Sequence, residues 1–466
     1  MLEIIISVLF LAAVGYLIAK NYDAKIVLFL AGIALLYLAV VLGHPIDFAK
    51  GGTGSLYLDP LKKVTDVFSM QMGVVGLTVM VLFGFAHYMS RIGANDVTVH
   101  VLSKPVKKIR SVYILVPIIF LLGNAFSVVL PSASGLAILL MATLYPVMRT
   151  AGMTAMTAAA VIATTATITP TPLGSDNVVV AQRLGMTSLE YVMTYHAKVS
   201  IPSLLIIAVT HYLWQRWMDA RDSRKAVVVT ESDEINQDKL NVRTDLPPSW
   251  YAIFPVMPII LLLFFNLAFL DPVTKKSLLN VSLVEITIIS MLLTMLAEII
   301  RHRSFKAPLK DFNLFFEGMG QGFTQVVSLI IAAGIFVEGL KAIGIITILT
   351  DSLNHVQEAG SILMLFFSSM AALIGFISGS GIAVFHSFIK IIPEITEQLN
   401  INTVLVALPM QLTANLIRSV SPVSAVIIIV ASVIKVSPLA IIKRTSVPIF
   451  SGIAASLILS YLFYGG

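Results

Sequence analysis

Long apolar stretches separated by short polar loops run through most of this 466-residue chain. A helix that crosses a bilayer needs about 20 predominantly apolar residues. By that criterion the pattern predicts spans near residues 2–20, 25–43, 71–89, 153–183, 197–214, 251–270, 281–300, 320–341, 403–434 and 445–464. The first stretch lacks the basic start and the cleavage site of a signal peptide, so we interpret it as a span. The pattern therefore predicts an all-helical integral membrane protein with about ten transmembrane helices.

Two of these stretches, 153–183 and 403–434, are too long for one plain helix, and each contains a proline break. The breaks read Thr169-Pro170-Thr171-Pro172 and Ser421-Pro422. Proline removes a backbone donor and disfavours helical geometry in the residue before it. Both stretches are therefore expected to be broken helices.

Two short polar segments interrupt the remaining apolar stretches, 112–148 and 361–395. These segments are Ser132-Ala133-Ser134-Gly135 and Ser378-Gly379-Ser380-Gly381. Their apolar arms look too short to cross a bilayer comfortably, and lipid does not tolerate an exposed backbone without hydrogen bonds. Each polar segment therefore predicts the tip of a re-entrant hairpin. Paired hairpins in the two halves of a chain are typical of binding sites in secondary transporters.

Matching features of the two halves recur at an offset close to 250 residues, such as broken-helix prolines at 172 and 422. Five predicted crossings separate the third spans of the halves, and an odd number makes the two repeats inverted. The expected domains are a first repeat at 1–214 (scaffold spans 1–110, hairpin and broken helix 111–214), a linker at 215–249, and a second repeat at 250–466 (scaffold spans 250–345, hairpin and broken helix 360–466).

Composition agrees with a membrane protein, because 57% of the residues are hydrophobic and only 12% are charged, against about 25% charged in soluble domains. The net charge of +6 would suit nucleic acid. The basic residues cluster in loops, however, as the positive-inside rule predicts, so no nucleic-acid partner is expected. The same rule places the linker in the cytoplasm and both termini in the periplasm. The absence of cysteine excludes disulfides and thiolate sites.

The hairpin tips and the helix breaks supply the polar groups expected to bind a ligand. Helix N-termini present free N–H groups and partial positive charge, so they attract anions. Close packing of small residues between helices is the alternative interpretation. The predicted substrate-binding residues are Ser132, Ser134, Gly135, Thr169, Thr171, Ser378, Gly379, Ser380, Gly381, Asn415, Arg418, Ser421 and Ser424.

Four ionisable residues have separate predicted roles. Arg418 is expected to face a cavity and a carboxylate, or else to lie near the cytoplasmic face or pair with a protein carboxylate. Asp176 is either a coupling residue that binds a proton or a cation, or the N-cap of a half-helix. His386 and Lys390 follow the second tip and are expected to line the path, although a packing histidine and a snorkelling lysine are the alternatives.

Other classes of protein have little support in the sequence. Motifs of metalloproteases, serine hydrolases, P-loop enzymes and dinucleotide-binding enzymes do not occur, and the histidines lack the spacing of metal ligands. An enzyme, a metal site and an organic cofactor are therefore not expected. A channel would need polar or charged rings around a pore, and the inverted duplication does not favour that arrangement.

Several longer motifs are similar to one known family. They lie at 83–89 (Phe-Gly-Phe-Ala-His-Tyr-Met), 92–96, 132–136, 140–148, 419–424 and 443–448. Together they resemble the anaerobic C4-dicarboxylate carrier (DcuC) family over nearly the whole chain. The resemblance implies a homodimer in the bacterial inner membrane that carries succinate, fumarate or malate with proton coupling. It also implies a scaffold domain and a hairpin-bearing transport domain that moves like an elevator.

The chain departs from this family pattern after the second tip. Where relatives read Gly-Ser-Gly-Asn-Ala-Pro-Phe, this chain has Ile382 and Val384, and Lys390 stands where a relative has an acidic residue. We expect a secondary active transporter of small dicarboxylates, coupled to protons. The alternative is a sodium-coupled carrier of another organic anion or of an amino acid, and an anion channel is the less favoured class.

Overall fold

The computed structural model describes residues 2–20, 22–48, 51–104, 109, 111–128, 130, 132–224, 245–268, 281–344, 352–353, 356 and 358–465. Within these ranges the regular structure is helical, without a β-strand. The predicted all-helical membrane fold is confirmed.

The first half of the chain is a series of helices broken by two π-helical turns, at Met72–Gly76 and Val192–His196. Its α-helices are α1 (Leu2–Ala19), α2 (Ala24–Val41), α3 (Asp59–Gln71), α4 (Leu77–Arg91), α5 (Ala94–Ser103), α6 (Val112–Phe126), α7 (Ala133–Thr143), α8 (Tyr145–Thr150), α9 (Ala155–Ala163), α10 (Ser175–Arg183), α11 (Ser188–Tyr191) and α12 (Ala197–Arg224).

The second half contains a π-helical turn at Phe323–Val327 and 3-10 helices at Ser249–Val256 and Arg418–Val420. Its α-helices are α13 (Met257–Ala268), α14 (Leu283–His302), α15 (Lys306–Gly322), α16 (Ser328–Ala342), α17 (Ala359–Ser378), α18 (Gly381–Phe388), α19 (Ile391–Gln398), α20 (Thr403–Ile417), α21 (Ala425–Val433) and α22 (Pro438–Tyr464).

Seven helical stretches in the described ranges are long and apolar enough to cross a membrane, or eight if α4 and α5, bent by 72°, form one span. This count is lower than the predicted ten in part because the predicted span 153–183 divides into α9 and α10 of nine residues each. The expectation of short hairpin arms was wrong for α17, which has 20 residues and is long enough to cross.

The long helices pack backbone against backbone where they cross, α4 on α15 and α2 on α16. A Cβ atom on Gly318 would lie 2.8 Å from the Cα atom of Gly84, and one on Gly32 would lie 2.5 Å from the nitrogen of Phe336. Small residues allow such close crossings, and membrane helices associate through them. These helices form the core of the predicted scaffold.

The two halves repeat the same order of unusual elements. The π-helical turns before α4 and α16 begin at Met72 and Phe323. Each of those helices ends before a left-handed glycine, Gly93 or Gly344, with φ of 78° or 80°. The half-helices α10 and α21 are offset by 250 residues. The order agrees with the predicted duplication, and its inversion stays a prediction.

The last helices of the two halves, α12 and α22, pack along each other and share a buried ion pair. Arg444 is 2% exposed and pairs with Asp219 and Asp222, and it also donates to Thr157 Oγ1 at 2.8 Å. Because α12 continues to Arg224, the first part of the predicted linker 215–249 is helical. Residues 225–244 lie outside the described residues.

Candidate functional site

The first break, residues 164–174 between α9 and α10, is held by two asparagine side chains. Asn124 Oδ1 accepts a hydrogen bond from the backbone nitrogen of Thr167 at 3.0 Å. From the other side, Asn177 Nδ2 donates to the carbonyl oxygen of Thr169 at 3.0 Å. An unwound backbone inside a membrane needs such partners. The two amides therefore replace some of the helical hydrogen bonds that the break lacks.

The second break, residues 418–424 between α20 and α21, is held by hydroxyl groups. Ser421 Oγ donates to the carbonyl oxygen of Phe376 in α17 at 2.6 Å. Thr445 Oγ1 in α22 donates to the carbonyl oxygen of Ser419 at 2.7 Å. Ser421 is fully buried and lines neither of the cavities described below, so the structure gives this predicted ligand a structural contact.

The second tip, residues 378–381, packs directly on the second broken helix. A Cβ atom on Gly379, which has φ of 73°, would lie 2.9 Å from the nitrogen of Ser424. A Cβ atom on Gly381 would lie 1.6 Å from the carbonyl oxygen of Ala414. Close packing, the alternative raised for small residues at a tip, accounts for both glycines.

The first tip, residues 132–135, is less crowded. Ser132 is the N-cap of α7, and its hydroxyl accepts from the nitrogen of Gly135 at 3.2 Å. A Cβ atom on Gly135 would meet only the side chain of Ser132, at 3.2 Å. The hydroxyl of Ser134 lies 3.4 Å from that of Ser132. This tip presents its polar groups to open space.

Two adjoining cavities bring the tips and the breaks together. The first has a volume of about 110 Å³ and the second about 450 Å³. Predicted site residues that line the first cavity are Thr169, Thr171, Asp176, Asn415 and Arg418. Those that line the second are Ser132, Ser134, Gly379, Ser380, Gly381, Arg418 and Ser424. Both cavities share Phe83, Ala86, Ile382 and Arg418.

Four helix N-termini open onto these cavities, namely those of α7, α10, α18 and α21. Their N-caps are Ser132, Gly174, Ser380 and Ser424. The N-terminus of a helix carries about half a positive charge and N–H groups without partners in the helix. The ends of α7, α18 and α21 therefore present partial positive charge to the cavities, which favours an anion, while the acidic Asp176 lies in the first turn of α10.

Arg418 lies where the two cavities meet and is half-buried. Among the described residues, its guanidinium group has no carboxylate within the 4 Å of an ion pair, although it lies within the electrostatic influence of Asp176. A guanidinium group inside a membrane protein is costly without a partner. Arg418 is therefore available to bind a carboxylate that enters the cavities.

Asp176 connects the two broken helices. Its Oδ2 atom accepts from Gln411 Nε2 at 2.9 Å and from Asn415 Nδ2 at 2.7 Å. Gln411 also donates to Asn177 Oδ1 at 2.6 Å. The N-cap of α10 is Gly174, so the alternative role of Asp176 as a helix cap is not observed.

Three side chains that hold the breaks, Asn124, Asn177 and Gln411, are not among the residues predicted from the sequence. Each is an amide inside an apolar stretch, and that pattern indicates a role only when the hydrogen-bond partners are known. Every one of the three is buried, at 2% exposure or less. Together they fix the unwound segments in place.

The remaining predicted residues lie away from the two cavities. Ser378 lines a separate cavity beside Lys25. His386 and Lys390 are buried in the arm after the second tip, and the ammonium group of Lys390 lies 3.4 Å from Glu338 Oε1. Their predicted role in lining the path stays a prediction. Within the described ranges, no group of three or more histidine, aspartate or glutamate side chains is arranged to hold a metal ion.

The sequence model of the C4-dicarboxylate anaerobic carrier family matches residues 2–464. The chain belongs to this family. It is 34% identical over 464 residues to the probable anaerobic C4-dicarboxylate transporter DcuC of Vibrio cholerae serotype O1, covering 98% of this chain and 97% of the relative. It is 33% identical over 468 residues to the anaerobic C4-dicarboxylate transporter DcuC of Escherichia coli K12, covering 100% and 97%.

A solved structure has the same fold. The YdaH transporter of Alcanivorax borkumensis aligns with a TM-score of 0.64 at 15% identity, over 95% of this chain and 98% of that one. At this identity the likeness concerns the fold alone. The family match, together with the apolar helices, identifies the chain as a multi-pass membrane transporter and not an enzyme.

Proposed function

We propose that this chain carries small dicarboxylates such as succinate, fumarate and malate through one site formed by the two tips and the two breaks. The observation that carries the proposal is Arg418, a half-buried arginine without an ion pair in the described residues, placed among four helix N-termini. A dianion is the ligand that such a field favours.

The two cavities suggest how the two carboxylates are held. One carboxylate binds Arg418 through a charge-assisted hydrogen bond, an interaction that contributes about 1.5–3 kcal/mol. The other reaches the backbone N–H groups at a tip, where Ser132 and Ser134 add hydroxyl donors. Thr169 and Thr171 complete the wall on the side of the first break.

The position of the cavities supports movement of one domain against the other. Phe83 and Ala86 of α4 form one wall, and α4 belongs to the predicted scaffold. Much of the remaining lining comes from tips and breaks within 111–214 and 360–466. A site between the two units becomes accessible from the other side when the hairpin-bearing unit moves, as an elevator mechanism requires.

The membrane arrangement follows from the same proposal. We place the protein in the bacterial inner membrane as a homodimer of inverted repeats, with cytoplasmic linker and periplasmic termini. Coupling to protons is the favoured mode, since Asp176 lines the first cavity. Sodium coupling is the second candidate.

The test is uptake of labelled succinate by proteoliposomes that contain the purified protein. We expect saturable uptake that fumarate and malate inhibit, and that a monocarboxylate or an amino acid does not. Arg418→Gln is expected to reduce uptake by about 30-fold or more, because it removes the charged partner of a buried carboxylate. Arg216→Gln is the matched control, since Arg216 is exposed on α12.

Three results would contradict the proposal. Unchanged uptake by Arg418→Gln would remove this residue from the site. Flux that does not saturate would indicate a channel. Uptake of succinate that depends on a sodium gradient, and not on a proton gradient, would replace proton coupling by sodium coupling.

A further inference from the structure

His386 is a buried imidazole with an unusual lack of partners. It lies in α18, six residues after the N-cap Ser380, and is 1% exposed. Neither of its ring nitrogens has a hydrogen-bond partner among the described residues. Buried polar groups are almost always paired, because an unpaired donor or acceptor loses its contact with water without compensation. An apolar side chain could fill the same space without this cost, so packing alone does not explain a histidine here.

The surroundings of His386 connect it to the proposed site. The helix α18 packs on α10, which carries Asp176, and on α20, which carries Gln411 and Asn415. The Asp176 carboxylate acts electrostatically on His386. It acts in the same way on a second buried histidine, His196, whose Nδ1 atom also has no partner in the described part of the chain.

The helices that pack against α18 carry few other titratable side chains. The helices α17 and α20 carry no titratable side chain. Glu338 of α16 pairs with Lys63, Lys341 and Lys390. Apart from Asp176, the remaining titratable groups on helices that pack against α18 are Arg183 of α10, and Lys25 and Tyr37 of α2. Asp176 is therefore the acidic group on these helices that has no ion pair among the described residues.

The charge balance of the site indicates what His386 does. Among the described residues that line the two cavities, Arg418 is the basic side chain, Asp176 is the acidic one and His87 is an imidazole. A dicarboxylate adds two negative charges, and helix N-termini offset them only partially. Excess charge is costly in a poorly solvated site. An imidazole is the side chain whose ordinary pKa lies close to neutral pH, so it is suited to supply a compensating positive charge.

We propose that His386 takes up a proton when a dianionic substrate binds, and so couples proton binding to substrate binding. This inference rests on the proposed function. It makes His386 a coupling residue that acts through Asp176 and the charge of the site, without contact with the substrate.

The experiment measures proton uptake and succinate affinity together on the purified full-length protein in detergent. Binding is followed by titration calorimetry in buffers of different ionisation enthalpy, at about pH 6.5 and about pH 8.5. The wild type is expected to take up protons on binding, and to bind more tightly at the lower pH, by at most about tenfold per pH unit for one linked proton. His386→Gln is expected to lose most of this uptake and pH dependence, and to match the wild type at the higher pH.

His100→Gln is the control, because His100 is exposed at the end of α5. It is expected to behave as the wild type. A purely structural role of His386 would weaken binding equally at both pH values, and that result would overturn the inference. Unchanged proton uptake in His386→Gln would also overturn it.

The outcomes separate this inference from the proposed function. Failure of the wild type to bind succinate would contradict the function itself. Binding without proton uptake would contradict the role of His386 and proton coupling, and would leave the proposed dicarboxylate site in place. If His386→Gln does not fold, His386→Asn is the second variant, and the proton uptake of the wild type still tests the inference.

Discussion

The two tips have nearly the same sequence, yet they meet different surroundings. Gly381 of the second tip touches the backbone of α20, where a Cβ atom would lie 1.6 Å from a carbonyl oxygen. Gly135 of the first tip has only the side chain of Ser132 near it. The second tip is therefore packed into its broken helix, while the first tip stands free beside the cavity.

The feature that the tips share is a capping serine. Ser132 accepts from the backbone nitrogen three residues later, and Ser380 does the same. This bond satisfies one free donor of each helix and leaves others facing the second cavity. The comparison teaches that the serine and the helix end are the common element of the two tips, whereas close packing explains only the glycines of the second tip.

The largest expected difference between the tips is in their tolerance of a methyl group. Gly381→Ala is expected to destabilise the protein by more than about 3 kcal/mol, because the added atom collides with the main chain. Gly135→Ala is expected to change stability by no more than about 1 kcal/mol. Thermal unfolding and gel filtration in detergent measure both. Equal stability of the two variants would remove the distinction between the tips.

The hydrogen bonds between the hairpins and the breaks are also expected to contribute different amounts to stability. Ser421→Ala leaves the carbonyl oxygen of Phe376 without its donor, which costs about 1–3 kcal/mol. Ser127→Ala removes a bond of 2.7 Å to the hydroxyl of Thr169, which can turn toward the cavity, and one of 2.6 Å to the carbonyl oxygen of Asn124. Because that carbonyl keeps the backbone nitrogen of Ser127 as a donor, about 1 kcal/mol or less is expected. Thermal unfolding of the pair checks this, and a larger loss for Ser127→Ala would contradict it.

The capping serines are expected to behave alike. Ser132→Ala and Ser380→Ala each remove an N-cap, a change that costs about 0.5–2 kcal/mol. Because each cap orders a helix end beside the second cavity, the affinity for succinate is also expected to fall by about threefold to tenfold. Titration calorimetry measures this. Loss at one tip only would mean that the dicarboxylate uses a single tip.

The smallest effect is expected at Ile382, where the sequence after the second tip differs from that of related carriers. Ile382 lines both cavities beside Arg418. Ile382→Asn is expected to leave stability within about 1 kcal/mol and to change the relative affinities for succinate, fumarate and malate by about threefold. Competition in the uptake assay measures it. Identical preferences in the variant would show that this position does not influence selectivity.

The sequence was informative about where the chain is interrupted. Short Ser/Gly segments and prolines inside apolar stretches predict the tips and the breaks, because only a few residue types are compatible with unwound backbone in a membrane. Arg418 was conspicuous for the same reason, as a charge within an apolar segment.

The partners of these interruptions could not be predicted from the sequence. Asn124 binds a backbone group 43 residues away, and Gln411 binds Asp176 across 235 residues. Such pairs depend on how the helices pack, which local patterns do not encode. The tight fit of Gly381 against Ala414 belongs to the same class, since a glycine in a polar tip has equal reason to face a ligand.

The central claim is that one dicarboxylate lies between Arg418, the tips and the breaks. Electron cryo-microscopy of the protein with saturating fumarate tests it most directly. The account predicts ligand density within hydrogen-bond distance of the Arg418 guanidinium group and of at least one of the N-termini of α7 and α18. Density for fumarate at another location, with these cavities unchanged, would contradict it.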